Sequence, residues 1–329
     1  MTQIRSIAAG ELPALTELAG PEHAADQASY VSNMIDRGAM RPDWCFVAED
    51  DGRLTGRCGF WTMPSVDHPE AIVLLDVAAD ASDADSVAAE LLAHALAGAR
   101  EAGSPTLMQV LDEPPQWPQW QTDLEARARW LLAAGFELRR ATSRFEFGTG
   151  DGAAGTPDSA TAPPPSSPAS PVAPARLTFR NLETVGEAAF LDAIERVSAG
   201  SLDRYTRAER DRLGPEGEAR QTYDELRSMA FEPSWWELAY DADDNLVGLV
   251  MPARSPTFLT IGYIGIVPEQ RGHGYVNDLL ARGTATLRAA SGDDAIRADT
   301  DLDNAPMAAA FERAGYRRFA TRREYEIRL

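Results

Sequence analysis

The sequence predicts a mixed α/β protein built from two tandem domains of one type, each a central mixed sheet flanked by helices. Three observations carry that expectation. A stretch unable to bury a core divides the chain, segments in the two halves repeat at one constant offset, and both halves alternate strand and helix patterns in the same order. From Thr149 to Ala175 the sequence holds Pro, Ala, Ser, Thr and Gly with no aromatic residue, including Pro163-Pro164-Pro165-Ser166-Ser167-Pro168. Proline at this density favours extended chain, so 149–175 reads as a semi-stiff tether between halves at 1–148 and 176–329.

The repeat is clearest at the ends of the halves. Ala134-Gly135-Phe136 corresponds to Ala314-Gly315-Tyr316, and Phe145-Glu146-Phe147 to Tyr325-Glu326-Ile327. Earlier, Phe46-Val47-Ala48 with Leu54-Thr55-Gly56 is similar to Glu237-Leu238-Ala239 with Leu246-Val247-Gly248, in each case strand, acidic turn, strand.

In the second half, periodicity predicts a strand at 177–180, helices at 185–199 and 218–229, and a hairpin of 236–240 with 246–251. A strand at 259–267, a helix at 275–289, a strand at 295–299 and a helix at 306–314 follow, then terminal strands containing Phe319 and Tyr325–Ile327. The first half repeats the later part of this order with a strand at 72–77, a helix at 86–101, a strand at 106–110 and a helix at 124–134.

Composition excludes several classes of function. A net charge of -20 opposes the clustered phosphate neutralisation that nucleic-acid binding needs, and suits cationic small molecules instead. No apolar run approaches the roughly 20 residues that span a bilayer, and Met1–Gly20 has no basic segment followed by an apolar one. The expected compartment is the cytoplasm, with no membrane association. Every basic side chain apart from histidine is arginine, so Schiff-base chemistry on lysine is excluded. Cys45 and Cys58 lie in strand-like segments and read as buried thiols; with four scattered histidines they give no metal-ligand spacing, and no metal is expected.

Chemistry concentrates in Ile264-Gly265-Ile266-Val267-Pro268-Glu269-Gln270-Arg271-Gly272-His273-Gly274-Tyr275, an apolar strand passing through a glycine-bearing turn into a helix. Glycines admit unusual dihedrals and let a ligand reach the main chain, while N–H groups of the first helical turn converge on an anion such as a pyrophosphate.

These residues resemble the GCN5-related N-acetyltransferases (GNATs). Arg271-Gly272-His273-Gly274-Tyr275 matches the family's Arg/Gln, two residues, Gly, one residue, Gly/Ala motif, and Val276 departs from the small residue of its last slot. Asn304-Ala305-Pro306-Met307, then Phe311 and Ala314-Gly315-Tyr316, is similar to the family's Asn and Gly-Phe pair around the following helix. The resemblance covers 176–329 well and 1–148 only in architecture and around Gly135-Phe136, which makes the chain look like a tandem GNAT with a degenerate N-terminal copy.

The resemblance implies acetyl-CoA as acyl donor and a small-molecule amine as acceptor. Pantetheine would lie in an opening between the strand ending at Val267 and the strand at 295–299, pairing with main-chain groups of Ile264 and Ile266, with an N–H near Ile266 stabilising the oxyanion. Arg271, Gly272, His273, Gly274, Tyr275 and Val276 would surround the pyrophosphate. Asn304, with Met307 and Phe311 on the helix behind it, would touch the pantetheine arm or order the turn.

In the first half the equivalent turn, Ala78–Ser86, lacks glycine and carries three carboxylates, with Asp85 or Ser86 expected to cap the next helix.

An alkylammonium must lose a proton before it attacks. The family's strand glutamate is absent from Phe258–Val267, leaving Asp299, Glu237 and Asp203 as candidate bases, each also readable as structural. The family's tyrosine that protonates the thiolate is replaced by Phe311, with Tyr275 and Tyr316 as weaker substitutes. Trp235-Trp236-Glu237 could form a wall for a cationic acceptor or simply pack, and Trp117 and Trp120 could pack a domain interface.

Two alternatives stay open. One is a noncatalytic acyl-CoA-binding regulator. The other is an enzyme similar to the mycothiol synthases, which share a tandem arrangement with one decayed half.

Overall fold

The computed structural model describes residues 3–8, 10–18, 20–79, 81, 83–148, 176–255, 258–291 and 295–329. The expected tether, 149–175, lies outside the described residues.

The chain forms two compact units, one of residues 1–142 with 320–329 and the other of 143–319. The sequence reading ends each half with its own last strand. The units instead exchange those ends: 143–147 belong to the second unit and 320–329 to the first. Local pattern makes both segments strands, but long-range pairing decides whose sheet they complete.

In the first unit β1 (Gln3–Ser6), α1 (Leu12–Thr16) and α2 (Ala24–Asp36) precede the antiparallel strands β2 (Cys45–Asp50), β3 (Arg53–Trp61) and β4 (Ala71–Val77). Helix α3 (Ala84–Glu101) crosses over to β5 (Thr106–Glu113), parallel to β4, and α4 (Leu124–Ala133) and β6 (Glu137–Phe147) follow. Phe60, Ile72, Leu91, Leu107 and Phe136 centre the core under α3 and α4. Asp83, not Asp85 or Ser86, caps α3: its Oδ1 accepts from the Ser86 N–H at 3.0 Å, while Asp85 accepts from Trp130 Nε1 at 2.6 Å. Trp117 packs edge-on against Tyr30 and Trp120 stacks on His23, so both serve the first unit's own packing. Cys45 and Cys58 are buried and free, burial raising both thiols.

The second unit opens with β7 (Thr178–Asn181), α5 (Leu182–Val185), α6 (Glu187–Ser198) and α7 (Arg204–Arg227). Strands β8 (Glu237–Tyr240), β9 (Leu246–Arg254) and β10 (Leu259–Ile266) continue an antiparallel run from β7. Helix α8 (Tyr275–Ser291) crosses to β11 (Ile296–Asp301), parallel to β10, before α9 (Ala305–Arg313) and β12 (Arg317–Arg328). Helices α8 and α9 pack on one face with Leu279, Leu280, Ile296 and Phe311; α6 and α7 pack on the other with Phe190, Val197, Tyr223 and Trp236. Residues 204–213, to which the sequence pattern assigns no element, form the first part of α7, which bends at Gly214 (φ 75°) ahead of Pro215. No helix among the described residues is long and apolar enough to cross a membrane.

Candidate functional site

Two strands that should run side by side part company in the second unit. β10 and β11 pair only at Leu259↔Ile296 and Thr260↔Arg297. One extra residue, Gly262, then enters β10 as a bulge opposite β9, where Ile261 faces Pro252 and Tyr263 faces Met251. A bulge bends its strand and shifts the face alternation by one. Leu259 and Ile261 before it, and Ile264 and Ile266 after it, therefore all point to the α8/α9 side.

The main chain beyond the bulge is exposed on the β11 side. Val267 N–H donates to Val247 O at 3.0 Å, so by antiparallel alternation Gly265 and Tyr263 also face β9, while Ile264 and Ile266 face the opening. Ile266 O accepts from Arg271 Nε at 3.1 Å, which leaves the Ile266 N–H and both groups of Ile264 toward the opening. Buried Val267 seals the strand end.

The opening leads to the turn before α8. Gly272 (φ 82°) and Gly274 (φ 79°) adopt left-handed conformations that favour glycine, and a Cβ at Gly272 would meet nothing within 4 Å. Among the described residues the N–H groups of Gly272, His273, Gly274, Tyr275 and Val276 find no main-chain acceptor, as expected at a helix start. They offer the positive end of the α8 dipole.

The Arg271 side chain does different work from the one its motif position suggests. Its guanidinium donates to Val197 O (2.9 Å), Ala199 O (2.8 Å) and Gly200 O (3.0 Å), the carbonyls at and just past the end of α6. It fastens the end of α6 to the end of β10, with four of its five N–H groups committed to main-chain carbonyls. The cation at the turn is Arg176, which no local motif marks: it donates to His273 O at 3.1 Å and lies 4.6 Å over the Tyr275 ring. His273 Nδ1 is 3.2 Å from Gln270 O, and Val276 packs into the core under α8.

Asn304 orders the turn into α9, its Oδ1 accepting from the Met307 N–H at 3.3 Å, and Met307 packs partly buried beneath. Phe311 is 1% exposed and stacks on Phe145, so it supports α9 from within. Tyr316 is likewise buried, its hydroxyl 2.6 Å from Thr284 Oγ1 and its acidity weakened by burial to about 12. Between α8 and α9 a groove of about 460 Å³ includes Asn277, Ala281, Ala285, Arg288 and Arg313 in its lining.

The candidate bases are dispersed. Glu237 lies buried on β8 in a two-point ion pair with the half-exposed Arg282, 2.7 Å at each contact, and Trp236 is buried beside it. Asp299 sits on β11 with Arg144 Nε 3.4 Å away. Asp203 caps α7, its Oδ1 accepting from the Thr206 N–H at 3.0 Å. No cluster of His, Cys, Asp or Glu among the described residues could hold a metal ion.

The first unit has the same opening, filled from within. β4 pairs with β5 only at Ala71↔Met108, and its bulge places Leu74 and Leu75 opposite Cys58 alone, Leu74 at φ 54°. Here the main chain is occupied: Gln119 Oε1 accepts from the Leu74 N–H at 3.1 Å and Arg127 donates to Leu75 O. Arg127 and Arg57 also pair with Asp76, and Arg57 donates to Gln27 Oε1 at 2.7 Å. Burial pushes the Asp76 carboxyl up, but the two guanidiniums outweigh it and hold it below its ordinary range.

Residues 202–316 match the acetyltransferase (GNAT) family. No curated protein sequence matches the chain. Among solved structures, a GCN5-related N-acetyltransferase from Sphaerobacter thermophilus is similar over 99% of this chain and 95% of its own, at 15% identity and a TM-score of 0.58. A tandem GNAT protein from the clavulanic acid biosynthesis pathway is similar over 100% of this chain and 98% of its own, at 16% identity and a TM-score of 0.51. Likeness at such identity speaks for the fold, two GNAT-like units in tandem.

Proposed function

We propose that the second unit, whose residues 202–316 match the acetyltransferase (GNAT) family, binds acetyl-CoA and passes the acetyl group directly to the amine of a small molecule. One observation carries the reading: the unpaired edge of β10 at Ile264 and Ile266 runs into a glycine turn whose N–H groups are free. Pantetheine is an amide-bearing chain that can pair with such an edge as a strand would. A pyrophosphate fits the N–H groups of 272–276, with Arg176 beside them, and Arg288 and Arg313 offer further cations along the α8/α9 groove.

In this reading the thioester carbonyl takes the Ile266 N–H, which stabilises the charge that grows on oxygen as the amine attacks. A thiol of ordinary acidity, near ~8.5, is a tolerable leaving group unaided. The missing tyrosine at Phe311 therefore slows the reaction without forbidding it. The net charge of -20 favours a cationic acceptor. The first unit, its opening filled by Gln119 and Arg127, takes no CoA and serves as scaffold.

Free-thiol release from acetyl-CoA across a panel of aliphatic, aryl and sugar amines tests the reading. We expect amine-dependent release with at least one cationic amine, beyond the rate in buffer alone. Tight CoA binding with no release from any amine would favour the noncatalytic acyl-CoA-binding reading, for which the buried Phe311 in place of an acid is the supporting observation.

A further inference from the structure

None of Asp299, Glu237 and Asp203 is an unengaged carboxylate, so the proton of the acceptor ammonium lacks an obvious destination. On the α6/α7 side, both helices lie directly against the part of β10 beyond Thr260. A Cβ built on Gly265 would clash with Val197 Cγ1, and one on Gly262 would come within 2.7 Å of Leu226 Cδ2. Glu218 stands two turns before Leu226 on the same stripe of α7, which carries it along β10 toward Gly265. Ser198, the neighbour of Val197, lies close enough to ease its charge, and Thr222 donates to it.

Glu218 is 2% exposed. Its Oε1 accepts from Thr222 Oγ1 at 3.0 Å, while its Oε2 is buried with no hydrogen-bond partner among the described residues. The groups around it come from every element packed there. Arg210, which donates to Ser198 Oγ at 2.6 Å, and Glu225 belong to α7; Ser198 belongs to α6. Tyr263 on β10 feels Glu218, Asp203, Arg210 and Arg271. No arginine touches the Glu218 carboxyl among the described residues, so nothing offsets its desolvation by direct pairing. Burial pushes its proton affinity up, against weaker opposition from Ser198, Thr222 and Arg210.

We propose that Glu218 is the proton acceptor of the acetyl transfer, its unpartnered Oε2 taking up the proton beside β10; this assignment rests on the acetyl-transfer reading above. The ammonium gives one proton to the Glu218 carboxylate, directly or through one water. The neutral nitrogen bonds to the thioester carbon, the C–S bond breaks, and the thiolate takes the second proton from that nitrogen. Glu218 then returns its proton to solvent. The amide and free CoA account for every atom.

Two readouts on the full chain test this, with Glu218→Gln as the variant. Difference infrared titration should show one carboxyl that ionises above the ordinary glutamate range of about 4.3 and is missing in Glu218→Gln. With the amine best used by the wild type, Glu218→Gln should lower kcat about a hundredfold or more and lose the acidic limb of the kcat/KM profile. CoA affinity should stay unchanged, and Glu218→Asp should recover part of the rate. A Glu218 carboxyl ionising in the ordinary range overturns the assignment even if no amine is turned over, as does a folded Glu218→Gln with wild-type kcat and pH profile. Failure of the wild type to bind CoA removes the acetyl-transfer reading and this assignment with it.

Discussion

Truncation after Phe319 is expected to unfold the first unit, although the residues removed stand at the far end of the sequence. Thr321–Arg328 pair along β5 from Glu113 to Thr106. Tyr325 lies in the first unit's core and Ile327 packs against it. Arg322 holds Asp112 through two contacts, 2.9 and 2.7 Å, and Glu326 pairs with Arg139 at 2.9 Å. Removing one buried aromatic side chain costs about 3–5 kcal/mol, and a domain holds only about 5–15. Loss of a whole strand with its ladder therefore exceeds what the unit can spare. Limited proteolysis of the truncated chain should cut rapidly within 3–142, where the intact chain resists. Equal resistance in the two chains would mean that β12 adds nothing to the first unit.

Asp76→Ala should be the most damaging single substitution in the first unit. It strips the shared partner from Arg57 and Arg127, both buried, and leaves two guanidiniums in a low-dielectric interior. Breaking a buried pair in this way costs about 3–5 kcal/mol. The acid dependence has a definite sign. Because the folded-state carboxyl is held below its ordinary value, its contribution is fully present above about 3.9, the unfolded value, and is lost as pH falls through the folded one. Denaturant melts should thus show a wide gap between wild type and variant at neutral pH that narrows in acid. A gap independent of pH, or no gap, would mean that Asp76 is not ionised within the network.

How much of this was legible in the sequence depended on the range of the interactions. The turn at Gly272 and Gly274 and the cap at Asn304 are local chemistry, and Arg271-Gly272-His273-Gly274 and Asn304-Ala305-Pro306-Met307 announce them. The opening itself was legible only through resemblance, since nothing around Gly262 distinguishes a bulge from a glycine inside a strand. Gln119 and Arg127 were illegible because their partners, Leu74 and Leu75, lie far back along the chain. The side-chain partners of Arg271 were out of reach for a similar reason: Val197, Ala199 and Gly200 lie at and just past the end of α6, far back along the chain. Glu218 sits among charged residues of α7 whose pattern marks a solvated face, and only the packing of Ser198 and Val197 against β10 shows that it is enclosed. The exchange of the last strands left no trace either, because the repeat that reveals the two halves suits either sheet.

The strand-to-helix turn of the second unit, and it alone, is expected to receive the CoA pyrophosphate. Gly274→Asp would place a side chain at φ 79°, a region L residues seldom adopt, and a negative charge beside the free N–H groups of 272–276. Losing one charge-assisted hydrogen bond costs about 1.5–3 kcal/mol, and every ~1.4 kcal/mol is tenfold in affinity. Calorimetric titration of wild type and Gly274→Asp with CoA, alongside thermal melting of the same samples, is therefore the most direct measurement. One site per wild-type chain is expected, with affinity at least about tenfold weaker in a variant that still melts cooperatively. Two comparable sites in the wild type, or unchanged affinity in a well-folded Gly274→Asp, would contradict the account.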